Sequence, residues 1–451
     1  MHVVVIGAGK IGKFLISSLR EEGHDVVVVD IDEQRVDRIV EEQDVSGICG
    51  NGTHCDVLTD ANIQNAYLVI ATTLSDEINI LSCIIARKMG ARHAIARVRG
   101  PEYVNQLDFM KNELRISMMV NPDMSVAKEI SRILKFPAAT NYETFANGKI
   151  DMIEVQVKGD NNIVDKPIYE ISKMYGNQFL ICAVRRNEDV FIPNGNFVIC
   201  EKDSIYICGS HKSIENILKG MKILKHRIKN VMIIGGSRIA HYLTMILMKM
   251  GMNVTIIEKN SERCKFLADH LPDARIVLGN SADHKLLIEE GIASSDAVVN
   301  VTDSDEGNFL VAMYAQSFNV KKLVTKINEP EFYQLYSKIM GESAISMSQI
   351  TSSIIVKYMR AKLNAEGEEI KNLYKLMDGR IEAIEFIAQG NKDYIEVPIK
   401  DLKFKKDILI AAISRKRKII FPTGDDTIQE KDSVIVVTKG KAIRSLEDIF
   451  V

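Results

Sequence analysis

There is no tryptophan in the 451 residues, and aromatic side chains make up only 6% of them. Platforms for stacking on sugars or bases are therefore scarce. An excess of charge is also lacking, since 58 Lys and Arg face 60 Asp and Glu for a net charge of −2. That gives no general attraction to DNA, RNA or anionic lipid, and no nucleic-acid partner is expected. No apolar run reaches the roughly 18 residues that a membrane span needs. The longest candidate, "AHYLTMILMKMGM", is short and broken by Lys249. The opening "MHVVVIGAGK" runs into a strand and glycine turn without a basic n-region or cleavage site, so a signal peptide is not expected and the reading is cytoplasmic.

Cysteines are few and scattered: Cys49, Cys55, Cys83, Cys182, Cys200, Cys208 and Cys264. They are odd in number and form no CxxC pair, so neither a disulfide framework in a chain of this size nor the usual zinc pattern is expected. Cys49, His54 and Cys55 lie close in sequence, but the expectation is a small buried thiol ending a strand, with no metal. There is no Walker A loop, no GxSxG and no HExxH. The composition that remains, 46% hydrophobic and 26% charged, is that of a soluble globular protein of about three domains by length.

What is present is a duplication. "VVVIGAGKIGKFL" near the start matches "VMIIGGSRIAHYL" at 231–243. "TLSDEINIL" (73–81) matches "TDSDEGNFL" (302–310), and "GPEY" at 100 matches "EPEF" at 329, each offset by 229. "FIPNG…EKDSIYI" matches "IFPTG…EKDSVIV" at the same offset. The chain is thus two copies of a unit of about 225 residues.

The first part of each unit alternates strand and helix. "HVVVIG", "DVVVVD", "SGIC", "YLVIAT", "HAIARV" and "ISMMV" read as strands. Their continuous Val/Ile runs indicate strands buried on both faces, as in a parallel sheet. Between them, "SDEINILSCIIARKMG" reads as a helix capped by Ser75 and closed by Gly90. The alternation predicts an α/β, doubly wound, Rossmann-like sheet. An amphipathic helix follows, then short strands such as "DMIEVQV", "FLICAVRRNEDVFIPNG" and "DSIYICGS", a small β-rich α+β domain. The expected domains are 1–138, 139–227, 228–366 and 367–451. The basic run "SRKRK" (414–418) reads as a hairpin turn, or more sharply as a contact for lipid or a membrane partner.

Gly7, Gly9 and Gly12 have GxGxxG spacing between a strand and a helix. The first glycine permits the tight turn, the second lets the backbone approach a pyrophosphate, and the third lets the helix pack on the strand. Amides at the helix start then face the phosphates. Asp30 ends the second strand 23 residues after Gly7, placed for the adenosine ribose hydroxyls and favouring NAD over NADP. Thr73 and Leu74 follow the fourth strand, Arg97 and Arg99 end the fifth, and Asn51 follows the third; all stand on the edge where such sheets bind ligands. An arginine there can reach phosphate oxygens. No His-Asp or Lys-Tyr pattern suggests an acid–base site beside the cofactor. The chain is equipped to bind a redox cofactor without using it, which points to sensing and not to an enzyme. An oxidoreductase with an unfamiliar site is the alternative.

These features resemble the TrkA family, the peripheral NAD-binding subunits of Trk potassium-uptake systems, and the single-unit KTN or RCK domains that gate potassium channels and transporters. The resemblance covers essentially the whole chain through "GAGKIG" with Asp30, "TLSDEIN", "ARVRGPEY" and their equivalents in copy two. It implies RCK N-type domains followed by RCK C-type domains, pairing through the helices after the sixth strand, and a homotetrameric ring. It also implies an integral-membrane potassium transporter partner of the TrkH/TrkG kind, at the inner face of the cell membrane. A cytoplasmic sensor of a potassium channel is the neighbouring possibility. The implied cofactor is NAD+ or NADH, with ATP or ADP as further ligands. In copy one the family's NAD-contacting places match Gly7, Ala8, Gly9, Lys10, Ile11, Asp30, Thr73, Leu74 and Arg97. In copy two they fall on Gly235, Gly236, Ser237, Arg238, Ile239, Glu258, Thr302, Asp303 and Lys326. There Ala240 replaces the third glycine, which the fingerprint tolerates. Ser237 is the real departure, putting a Cβ where backbone meets pyrophosphate, though its hydroxyl has the chemistry to donate to a phosphate. Lys326 keeps the charge of Arg97 without its bidentate fork. The second crevice is expected to bind nucleotide more weakly, or a different one.

Overall fold

The computed structural model describes the chain except residues 101–102, 104–112, 177, 224–226, 341–342, 365–369, 378–379, 391, 417, 441–442 and 444. Pro101 and Glu102 of the "GPEY" segment, and Arg417 of the basic run, lie outside the described residues. The described residues divide into two compact units: Met1–Leu134 with Ile228–Val356, and Lys135–Arg227 with Lys357–Val451.

The first unit holds two six-stranded parallel sheets. In copy one the strands are His2–Ile6, Asp25–Asp30, Ser46–Cys49, Leu68–Ala71, His93–Arg97 and Met118–Val120. They lie in the order third, second, first, fourth, fifth, sixth. Copy two repeats the order with Asn230–Ile234, Asn253–Glu258, Arg275–Leu278, Ala297–Asn300, Lys322–Lys326 and Ser343–Ile345. The Val/Ile runs are explained by burial on both faces: Val3, Val4 and Val5 are wholly buried, as are Val69 and Ile70 beside them. The helix Asp76–Met89 has Ser75 as its N-cap, with the hydroxyl accepting from Ile78 N, and it ends at Gly90 as read from the sequence.

The two copies share a core. The helix after the sixth strand of copy one, Pro122–Lys135, contributes Val126, Ala127, Ile130 and Leu134. These pack with Ile239, Leu243 and Leu247 of the helix Arg238–Lys249. At a partly buried polar point Asn121 Nδ2 donates to the Tyr242 hydroxyl (3.4 Å), which donates to Arg99 O (3.5 Å).

The second unit holds two five-stranded sheets of antiparallel pairs. The first consists of Asp189–Phe191, Phe179–Arg186, Ser204–Ser210, Ile150–Gln156 and Ala139–Phe145, in that spatial order. Ala139–Phe145, an edge strand at the boundary read from sequence, adds a strand that the sequence reading did not mark. One face carries the helices Ile168–Tyr175 and His211–Gly220. The other joins Phe145, Met152 and Tyr206 with Leu376, Ala383, Ala412 and Val437 of the second sheet. Burial on both faces is why Ile150–Val155 carries no alternation of burial along its length. The basic run forms a hairpin between Ile408–Arg415 and Lys418–Ile420, and Arg415 is held by Asp432, with Nη2 to Oδ2 at 2.8 Å.

Candidate functional site

The first strand pairs with the second on one side and the fourth on the other. The chain therefore turns away in two directions at its C-terminal edge, opening the crevice where ligands of such sheets bind. The glycine loop lies there. Gly7 has φ +108°, and a Cβ on it would stand 2.9 Å from Thr72 C and Thr73 N, so the loop can press on the fourth strand only as glycine. A Cβ on Gly12 would stand 1.9 Å from Gly7 O, so the helix Lys10–Glu21 packs directly on the loop. Gly9 is different. It is the N-cap of that helix, no side chain caps it, and a Cβ on it would meet nothing within 4 Å. Two of the glycines are thus required by packing, while the third keeps open the space in front of the helix N-terminus.

Around the loop, both oxygens of Asp30 are anchored: Oδ2 accepts from Ala8 N (2.6 Å) and Oδ1 from Asp32 N (3.0 Å). The carboxylate keeps free lone pairs for hydroxyl donors. Ala8 and Ile11 are buried and support the loop. Lys10 forms an exposed ion pair with Glu329 of copy two (2.6 Å). Asn51 Oδ1 accepts from Thr53 N (3.0 Å) and Thr53 Oγ1 (2.9 Å), so it closes its own turn. Leu74 projects from the edge, 85% exposed.

Arg97 and Arg99 divide their roles. Arg99 binds Asp123 with Nε–Oδ2 at 2.7 Å and Nη2–Oδ1 at 3.2 Å, a partly buried structural fork. Arg97 is only 6% exposed. Its Nη1 donates to Thr73 O, its Nε is buried without a partner, and no acid pairs with it among the described residues. Burial, with Arg99 alongside, lowers its pKa from the ordinary value. Asp123 and Asp76 act on it only through space, without a direct ion pair, so the buried guanidinium keeps capacity for an anionic partner.

The organiser of this edge is Asn79, fully buried and given no role in the sequence reading. Its Oδ1 accepts from Thr73 N and Thr73 Oγ1 (both 2.8 Å), and its Nδ2 donates to Thr73 O (3.1 Å) and Arg97 O (2.9 Å). Asn308 does the same for Thr302 and Lys326 in copy two. The signal was available, since each SDE-x-N repeat ends on this residue. Asp76 and Asp305 serve the neighbouring loop, accepting from Arg99 N and Gly100 N, and from Asn328 N and Glu329 N.

The second crevice keeps this frame with altered contents. Gly235 has φ +98°. Glu258 Oε2 accepts from Gly236 N (2.5 Å) and Oε1 from Asn260 N (2.7 Å), so the longer acid holds the same amides. The extra methylene is accommodated because position 236 lacks a methyl: a Cβ there would stand 2.9 Å from Glu258 Cγ. Ser237 caps the helix, its hydroxyl oxygen accepting from Ala240 N (3.4 Å). Ile239 is buried and Arg238 exposed. Lys326, 5% exposed, binds Asp303 Oδ1 at 3.0 Å.

Cys49 ends its strand as expected, but it is exposed and not buried. It stands in register with Asp30 on the outermost strand of the sheet, which has no neighbour to cover it. No group of three or more His, Cys, Asp or Glu able to hold a metal occurs among the described residues.

Two family models match the chain, each twice: the TrkA-N domain over residues 3–122 and 231–347, and the TrkA-C domain over 152–221 and 384–451. The chain is similar to a protein of Archaeoglobus fulgidus named Trk system potassium uptake protein TrkA homolog, with 32% identity over 450 residues covering 100% of both. Among solved structures it resembles the GsuK RCK domain, with a TM-score of 0.64 and 17% identity over 97% of this chain and 92% of the other. The GsuK channel bound to NAD matches with the same score and identity over 97% of this chain and 77% of that one.

Proposed function

Since the chain belongs to the TrkA family, with two TrkA-N and two TrkA-C domains in tandem, we propose that it is the nucleotide-sensing, gating subunit of a Trk-type potassium uptake transporter. In this reading NAD+ or NADH occupies the first crevice, and ADP or ATP competes for it. The observation that carries it is the buried Arg97, with no direct ion pair among the described residues, beside an open Gly9 and an anchored Asp30. Pyrophosphate oxygens meet the guanidinium and the helix N-terminus, and ribose hydroxyls meet the carboxylate. A solved relative of the same fold carries NAD. The full-length likeness to a protein named for Trk potassium uptake favours a Trk transporter over a channel as the partner.

No helix among the described residues is long and apolar enough to cross a membrane; in this reading the pore is a separate polypeptide. The chain then works at the cytoplasmic face as a homotetrameric ring of the four domains 1–138, 139–227, 228–366 and 367–451. The site residues assigned above bind and orient, and the chain is a regulator and not an oxidoreductase. Nucleotide gates the ring because it binds one ring shape more tightly than another. Rubidium uptake in cells co-expressing the transporter subunit tests this. Uptake is expected to need the chain and to lose its nucleotide response with Asp30→Ala. Uptake indifferent to the chain, or steady NADH turnover with a metabolite, would overturn it.

A further inference from the structure

The two crevices share a frame but differ in charge and in open space, and the differences run one way. Copy one presents a buried cation with no direct ion pair among the described residues, Asp123 and Asp76 acting on it only through space, and an open volume at Gly9. Copy two fills the equivalent volume with the Ser237 side chain, which is turned back to cap the helix. It also neutralises its buried cation from within, because Lys326 binds Asp303, the residue standing where copy one has Leu74. Asp303 is 99% exposed, so solvent screens the pair and its own strength is modest. What matters is the tether. Asp303 lies one residue from Thr302, whose amide and hydroxyl are fixed by Asn308, so a carboxylate that swings off Lys326 stays at this edge of the crevice.

The ribose end, by contrast, is conserved in function. Glu258 is anchored by two backbone amides as Asp30 is. Beside it Arg263 donates from Nε to Gly236 O and lies over the Phe266 ring, while its Nη2 is buried without a hydrogen-bond partner among the described residues.

We propose that the second crevice is a binding site for an adenine nucleoside or nucleoside monophosphate, and that Asp303 is the residue that excludes dinucleotides and nucleoside polyphosphates from it. This rests on the reading of the first crevice as a nucleotide site, from which the roles of the equivalent residues are taken. In copy two the open volume of the loop is filled by Ser237 and the buried cation is paired by Asp303, while the ribose apparatus remains. A ligand with a short anionic tail therefore keeps its contacts, and one with two or more phosphates meets a built-in anion.

The test is calorimetric titration of the full chain with AMP and ADP, in the Asp30→Ala and Asp30→Ala/Asp303→Asn backgrounds. The first substitution silences the first crevice. AMP is expected to bind Asp30→Ala at least as tightly as ADP. Adding Asp303→Asn is expected to reverse the order by raising ADP affinity about ten-fold or more, the worth of one charge-assisted bond freed from competition. ADP outranking AMP before Asp303 is changed, or no change in order after it, would overturn the proposal. So would an absence of binding in both backgrounds, while NADH binding to the unaltered chain would leave the first-crevice reading standing. If Asp30→Ala fails to fold, ADP stoichiometry supplies the same decision. One site per chain in the unaltered protein should become two with Asp303→Asn, and two tight sites at the outset would refute the inference. Failure of the unaltered chain to bind NADH, AMP or ADP would sink both readings together.

Discussion

Replacing Gly9 by serine separates what the glycine loop needs for folding from what it needs for its ligand. Gly9 has φ −73° and ψ −177°, which any residue adopts, and a Cβ there meets nothing within 4 Å. The substitution also recreates the cap that Ser237 makes in copy two. Serine in place of glycine at an N-cap adds about a few tenths of a kcal/mol, so the melting temperature should not fall. Binding should suffer, because the new side chain occupies the space in which pyrophosphate meets the helix N-terminus. Losing one hydrogen bond to a charged phosphate costs about 1.5–3 kcal/mol, or roughly ten- to a hundred-fold in affinity. Gly7→Ala is the control. It combines φ +108° with a Cβ 2.9 Å from Thr72 C and Thr73 N, so it should lower the melting temperature as well as the affinity. Titration with NADH and thermal melting of both variants provide the assay. A Gly9→Ser protein that binds NADH like the unaltered chain, or one that unfolds, would refute the reasoning.

Further consequences follow from single contacts. Gly236→Ala should destabilise the chain by about 1–3 kcal/mol through overpacking on Glu258 and Leu267, and adding Glu258→Asp should recover part of the loss in a denaturant melt. Burial pushes the Asp296 carboxyl up, but the Lys321 ammonium and the Asn230 and Lys229 amides outweigh it and hold the pKa at about 2. A carboxylate so depressed contributes stability above its unfolded pKa of about 4, and loses it as pH falls from there toward the folded value. Asp296→Asn should therefore lower stability at neutral pH and flatten its fall between those two values. Cys49 and Cys55 are exposed, whereas burial raises the Cys83 thiol to about 12. Iodoacetamide should label the first two and spare Cys83 in the native protein, and NADH should slow labelling at Cys49, the neighbour of Asp30.

The parallel sheets were readable because each signal is local. A Val/Ile run, a glycine turn and a capped helix fit within a few residues, and the duplication offered every element twice. Pairing of like domains through the helices after the sixth strand was implied by the family resemblance and not by the residues themselves. The pattern of Val126, Ile130 and Leu134 shows that their helix buries a face, but that the face lies on Leu243 and Leu247 of the other copy is a contact distant in the chain. The fates of Arg97 and Arg99 were hidden for a similar reason. Two residues apart on one edge, they look alike until Asp123 takes one of them. Asn79 was visible in a quoted motif, yet only folding joins it to Thr73 and Arg97. Cys49 misled because a small apolar thiol at a strand end is usually buried, and this strand is the outermost of its sheet.

Calorimetric titration of the full chain with NADH decides whether the first crevice is a sensor site for NAD. One site per chain, lost with Asp30→Ala and weakened with Arg97→Ala while the melting temperature of the second variant holds, is the expected result. No binding, or binding unaffected by both substitutions, would contradict it.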